Sequence, residues 1–289
     1  MVRAALLTTY LLISTDMKKL FIIAGASLLL SGNVFAQSKP AQSTTKPANT
    51  MTYKVKLGDG KDRQVQFTMY GSSVEIIGHN SDEVLIETND YSAPPERAKG
   101  LKPLYNQVED NTKLGLAVEK KNNVLSITKA SRNQASYTIR VPKNAAIVYK
   151  EVNWTGGELT IKDMNGEIEA HLNNTDAAFT NVSGPVVANS TAGSLKVVFS
   201  ALAQDKPSAL SAVAADIDIT LPANTKANYK LEAMQGEIYT DFDMEVKKTG
   251  KSDLPSIGGG GNISGKTNGG GVEMTVKSIS SDIYIRKKK

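Results

Sequence analysis

The chain has 289 residues, with 34 Lys and Arg against 29 Asp and Glu, two histidines and no cysteine. That length can bury a substantial core, and the missing cysteine excludes disulfides, thiolate metal sites and cysteine nucleophiles. A formal net charge of +5 is too mild an excess to point to nucleic acid.

The first segment reads as an address. Met17-Lys18-Lys19 is a short basic start, residues 20–30 are apolar, and Val34-Phe35-Ala36 places small residues before a cut. This predicts a signal peptide that starts at Met17 and is cleaved between Ala36 and Gln37, with residues 1–16 upstream of the natural start. The expected product is exported, to the periplasm or to the cell surface and beyond. No cysteine follows for lipid attachment. No later run is apolar enough to span a bilayer, so the cleaved chain is not expected to be membrane-spanning.

Residues 37–50 are rich in Ser, Thr, Pro, Ala and Lys and read as a flexible linker. From Met51 short alternating runs take over: Tyr53 to Leu57, Val65-Gln66-Phe67, Val74-Glu75-Ile76 and Val84-Leu85-Ile86. Apolar residues at every second position, punctuated by Gly, Asn and Asp, predict half-buried strands. Residues 93–100 break that rhythm with two prolines and a closing glycine. Strands are expected again at 114–118 and 124–127. The whole of 51–289 is expected to be one β-repeat domain, more irregular over 51–135 and a repeat array over 136–289.

Rows of nine begin at Gly157, Gly166, Thr175, Gly184 and Gly193. In each, the second and fourth residues after the first are apolar: Leu159 and Ile161, Ile168 and Ala170, Ala177 and Phe179, Val186 and Ala188, Leu195 and Val197. A period of two inside a period of nine predicts one strand and one tight turn per row, with the same face always inward. Glycine opens four of the five rows, which suggests corners that need positive φ. The expected fold class is all-β, a β-solenoid or β-helix-like stack with tight Gly/Asn corners; a β-sandwich is the alternative. A second echo spans 80 residues. Ile139 to Asn144, Tyr149-Lys150 and Gly156 are answered by Ile219 to Asn224, Tyr229-Lys230 and Gly236.

Strands ending in proline, repeated Gly/Asn corners and the closing Asn268-Gly269-Gly270-Gly271 with Ser281-Asp282-Ile283-Tyr284-Ile285 carry a likeness. The chain resembles the bacterial family of exported β-strand-repeat adhesin-like proteins, related to the head-GIN domain of unknown function, over residues 52–289. Ser280-Ser281 stands where that family's last corner usually has Asn-Gly. The resemblance implies an exported repeat fold and brings no active site with it.

Possible chemistry is thin. Residues 260–267 spell a P-loop, but three glycines and an alternating strand follow instead of a helix, so nucleotide binding is not expected. His79 and His171 are far apart, with His171 on an outward phase, which argues against zinc. Asp216 with Asp218, and Asp241 with Asp243, share strand faces that could interest calcium; solvated carboxylates beside a buried Ile217 or Phe242 are the expectation. Glu158, Glu167, Glu169 and Asp176 could lie on adjacent coils, as in a polysaccharide-active β-helix enzyme. Stacked coils bring outward residues together without catalysis, so no catalytic, cofactor-binding or metal residue and no cofactor is assigned. Trp154, Tyr137 and Tyr149 are the aromatics that could stack on sugar rings if exposed, though burial is expected. The reading is a non-enzymatic structural, adhesive or binding protein of the cell envelope, with a glycan or protein partner. The alternatives are the polysaccharide enzyme and a periplasmic ligand-binding module linked to signalling. The open coil edge is an aggregation hazard, which the Lys-rich tail at 286–289 is expected to guard.

Overall fold

The computed structural model describes residues 50–58, 60–105, 108–248 and 261–289. The signal segment and most of the linker lie outside these residues. Among the described residues there are twenty strands, one 3-10 turn at Glu96–Ala98 and no α-helix. No described helix is long and apolar enough to cross a membrane.

The first strands are β1 (Met51–Lys56), β2 (Gln64–Met69), β3 (Ser72–His79), β4 (Glu83–Thr88), β5 (Leu116–Lys121) and β6 (Val124–Lys129). Next come β7 (Ala135–Pro142), β8 (Ala146–Glu151), β9 (Gly157–Lys162), β10 (Ile168–Val182), β11 (Val186–Ala192) and β12 (Leu195–Phe199). The last are β13 (Ser208–Ala214), β14 (Ile217–Leu221), β15 (Ala227–Ala233), β16 (Ile238–Thr240), β17 (Glu245–Lys248), β18 (Gly261–Thr267), β19 (Val272–Ser278) and β20 (Ile283–Lys287).

They pair in two ladders. One runs β1, β4, β7, β3, β9, the second half of β10, β12, β14, β20, β16. The other runs β5, β6, β2, β8, the first half of β10, β11, β13, β19, β15, β18, β17. Pairing is parallel through the middle and antiparallel near the ends, at β1–β4–β7, β5–β6 and β15–β18–β17. Because β10 belongs to both ladders, all the strands form one large mixed sheet. It does not close: β1, β16, β5 and β17 each have a described partner on one side only.

The nine-residue period is visible in the registers. Asp176 sits opposite Glu158, Val186 opposite Ile168 and Leu195 opposite Ala177, each a step of two rows. One row therefore carries the chain from one ladder to the other. The order along the ladders is not the chain order at either end, however. β2 and β3 lie between β6–β7 and β8–β9, and β19 and β20 lie between β13–β14 and β15–β16.

All ten apolar row positions are buried, from Leu159 at 0% exposure to Ala177 at 2%, and they share one apolar cluster with the inward residues of the other strands. Burying each large side chain contributes about 1.5–3 kcal/mol, so repetition rather than any single contact builds the core. The 80-residue echo is structural as well. Ala145 N–H donates to the Pro142 carbonyl at 2.9 Å and Thr225 N–H to the Pro222 carbonyl at 3.0 Å, the same turn in both copies. Each turn leads from an inward Ile139 or Ile219 in one ladder to an inward Tyr149 or Tyr229 in the other.

Two expectations about corners need correction. The row starting at Thr175 has no separate turn: β10 runs unbroken through it, with Thr175 buried. The row without glycine is thus the one in which the strand does not break. Positive φ explains Gly193 (φ +88°) but not Gly166 or Gly184. At those two, a Cβ would come within 2.0 Å of the Ala145 carbonyl oxygen and 2.1 Å of the Gly166 carbonyl oxygen. They are small because backbone meets backbone.

The tail is also placed differently from expectation. Arg286 and Lys287 belong to β20, an interior strand between β14 and β16. The guarding charges sit on the edges themselves: exposed Lys54 and Lys56 on β1, and Lys120 and Lys121 on β5. A lysine whose burial would be required for strand addition makes that addition costly.

Candidate functional site

A polar cleft of about 340 Å³ opens where the turns after β2 and β8 meet the start of β7. Ser72, Ser73, Asp90, Ser136, Thr155 and Gly157 contribute to its wall. Trp154, next to Thr155 in the chain, is 61% exposed. Short hydroxyls and one carboxylate can offer hydrogen bonds here. No histidine, lysine or arginine is among the described lining residues. Partial burial works against the Asp90 carboxylate, but hydrogen bonds from Ser136 N–H at 2.8 Å and the Thr88 hydroxyl at 3.1 Å outweigh it and hold its pKa below the ordinary range. Asp90 stays ionised near neutral pH, an acceptor rather than a proton donor.

The four outward acids do not converge. Glu158 and Asp176 are cross-strand neighbours on one ladder, whereas Glu167 and Glu169 lie on the other. Asp176 accepts from Ser194 N–H at 2.7 Å and the Ser194 hydroxyl at 2.8 Å, bonds that lower its pKa. Glu167 pairs with Lys206 at 2.8 Å, and Glu169 with His171 at 2.6 Å. His171 is outward, as expected. His79 is distant from it in the fold's order and donates from Nε2 to the Glu83 carbonyl at 2.8 Å.

Ile217 and Phe242 are buried as expected, but the pairs do not share strand faces: Asp216 precedes β14, and Asp241 and Asp243 lie between β16 and β17. Asp216 accepts from Asp282 N–H at 3.1 Å, and Asp282 in turn accepts from Glu237 N–H at 2.8 Å. Asp241 accepts from Lys287 N–H at 2.7 Å. Asp176, Asp216 and Asp282 form a recurring device, each capping the backbone of the corner that leads into the adjacent strand, while Asp241 caps the last residue of β20. They explain a column of acids without any chemistry. The P-loop-like string begins at Gly260, outside the described residues. From Gly261 it is strand β18, and a turn and strand β19 follow, so no helix dipole faces a phosphate site there.

Tyr137 and Tyr149 are buried at 2% exposure. The first belongs to a cluster that sequence reading did not single out. Lys129, 3% exposed at the inward end of β6, donates from Nζ to the Tyr137 hydroxyl at 3.0 Å and lies 4.8 Å from that ring's centroid. The Tyr137 hydroxyl donates to the Leu114 carbonyl at 2.8 Å. Burial pulls the Lys129 pKa down to about 8, with the Asp90 and Asp110 carboxylates pushing the other way; burial raises that of Tyr137.

The sign of the pH effect follows. Folded Lys129 loses its proton before unfolded Lys129, so the unfolded chain binds more protons between pH 8 and the ordinary lysine range. Stability is expected to rise with pH from about 8 until Tyr137, held protonated in the folded state, opposes it near pH 10. Lys129→Met keeps the apolar stem and leaves the Tyr137 hydroxyl its carbonyl partner. It is expected to stabilise the fold at pH 7 by on the order of 1–3 kcal/mol and to flatten the rise, read from urea midpoints against pH.

The aromatics that sequence reading missed are Tyr239 and Tyr284. Their rings stack with centroids 5.3 Å apart and planes at 13°. Opposite registers in β16 and β20 bring them together. The signal was present in the repeated Ile-Tyr at 238–239 and 283–284, in which the isoleucine faces inward and the tyrosine outward.

No family model matches the chain, and no curated protein matches it. Among solved structures it is similar to a candidate cell adhesion protein from Clostridium sporogenes, at 11% identity and a TM-score of 0.43, over 83% of this chain and 99% of that one. A candidate adhesin from Bacteroides fragilis matches at 14% identity and a TM-score of 0.39, over 83% and 98%. A candidate lipid binding protein from Parabacteroides distasonis matches at 12% identity and a TM-score of 0.22, over 84% and 98%. At such identities and scores the likenesses define neither a shared activity nor a shared ligand.

Proposed function

We propose that the chain is an exported, non-enzymatic β-repeat protein with a structural or adhesive role at the cell envelope. The observation that carries the reading is the use of the outward acids. Asp176, Asp216 and Asp282 are bound to neighbouring backbone N–H groups, and Glu167, Asp218 and Glu169 to lysine, arginine and histidine, which suits a rigid display surface better than acid–base chemistry.

We read residues 51–289 as one such unit behind a cleaved signal segment at 1–36 and a linker at 37–50. The two-row register steps and the parallel central pairing support a β-solenoid. A β-sandwich would also set two apolar faces against each other, but hairpin-built sandwiches pair neighbours antiparallel. Envelope glycan or protein is the partner that a polar, largely fixed surface fits.

Fractionation of cells carrying a C-terminally tagged chain, followed by pull-down against envelope glycan and protein, tests the reading. Recovery outside the cytoplasm with a retained envelope component is the expected result. A cytoplasmic chain, or one that shortens a polysaccharide on incubation, would overturn it.

A further inference from the structure

The end of the first ladder carries a feature that adhesion in general does not require. β16 has three residues and among the described residues pairs with β20 alone, so Tyr239 is the last described ring of its outward column. One face stacks on Tyr284. Beyond Tyr284 the Arg286 guanidinium lies 5.0 Å from that ring's centroid and is held by Asp218, with Nε at 3.1 and 3.2 Å from the two carboxylate oxygens. The Tyr284 hydroxyl donates to Asp282 at 3.0 Å. Tyr239 is thus braced from behind by a ring, a cation and a carboxylate. It remains 50% exposed, and no described ring covers its other face.

We propose that this braced tyrosine stack is a binding platform for a neutral saccharide. The inference deepens the adhesive reading and rests on it for biological context. A rigid, flat, exposed aromatic face suits the apolar C–H face of a sugar ring, and an immobilised side chain loses little entropy on binding.

The charge around it selects the class. Glu237, Asp241 and Asp243 flank Tyr239 in the chain and are exposed, while Asp218 and Asp282 stand behind it. Against them are Arg286, already paired, Lys287, 5.6 Å from the Phe242 ring, the exposed Lys288 and Lys289 after it, and the exposed Lys196, the register neighbour of Asp218. With acids and bases nearly balanced there is no strong field of either sign to draw a polyanion such as nucleic acid or a uronate-rich glycan, or a polycation, which favours a neutral occupant. A cationic peptide and a second copy joining the β16 edge are the competing occupants.

The test uses the purified full chain and immobilised cellohexaose, maltoheptaose and chitohexaose, with polygalacturonate and oligolysine as charged controls. At least one neutral oligosaccharide is expected to bind. Tyr239→Ala is expected to weaken it roughly tenfold and Tyr239→Phe, which keeps the ring face, by no more than about twofold. Equal urea midpoints for the variants establish that the fold is intact. A Trp154→Ala variant is expected to bind as the parent does.

Absence of binding to all three neutral probes overturns the proposal, as does tighter binding to polygalacturonate or oligolysine. So does loss with Trp154→Ala in place of Tyr239→Ala, or concentration-dependent self-association that Tyr239→Ala removes. The readout does not depend on location. A cytoplasmic chain that binds sugar through Tyr239 sinks the envelope reading alone, and an exported chain that binds none sinks the platform alone.

Discussion

Phe179→Ala is expected to destabilise the protein by about 3–5 kcal/mol, read as a lower urea midpoint. Phe179 is fully buried in the second half of β10, the strand that belongs to both ladders. Its register neighbours are Ile161 on β9 and Val197 on β12, both fully buried. These β-branched side chains are stiff and cannot swing into the space that the ring leaves. The cost is therefore the lost transfer of the ring plus a cavity that collapses poorly. Thr180→Ala, one residue on and exposed, is the control and is expected to stay within about 0.5 kcal/mol. Equal effects from the two would mean that the inward phase of the row has been misassigned.

Gly184→Ala is expected to cost about 3 kcal/mol or more, although it adds only a methyl group. The new Cβ would lie 2.1 Å from the Gly166 carbonyl oxygen and 2.6 Å from that of Asn165. Both obstacles are backbone. Gly166 is itself pressed against the Ala145 carbonyl, so relief at one corner passes strain to the next. Gly269→Ala provides the comparison. A Cβ there meets nothing within 4 Å, but φ is +85°, so the expected cost is about 1–2 kcal/mol from backbone conformation alone. Chemical denaturation of both variants checks the order. If Gly184→Ala is the milder of the two, close approach of successive corners is not what makes glycine necessary there.

Much of the site was harder to read than the fold. Exposure of Trp154 and Tyr239 and burial of Tyr137 and Tyr149 are differences of a residue's phase and of what lies across from it. Tyr149 alternates correctly for an inward position, but Trp154 sits in a turn where alternation has no meaning. The Tyr239–Tyr284 stack joins residues 45 positions apart, brought side by side because β19 and β20 return to slot inside strands already laid down. Nothing in the local pattern announces that return. The buried Lys129 was equally hidden: it continues the inward alternation of Leu125 and Ile127, and the Tyr137 hydroxyl that accepts from it and the Asp90 and Asp110 carboxylates that favour its charge come from elsewhere in the chain.

By itself the chain determined its strands, their inward faces and the nine-residue step, because side chains alternate with a period of two whatever the partner, and a repeated pattern must present the same face each time. It also determined the paired Pro-x-Asn turns, which are local. Tertiary structure alone decided the order of strands in the ladders, which glycines are small for backbone contact rather than for φ, and which aromatics meet water. Those outcomes depend on hydrogen-bond partners tens of residues away, and a strand's edge offers the same N–H and C=O groups to any neighbour that arrives in register.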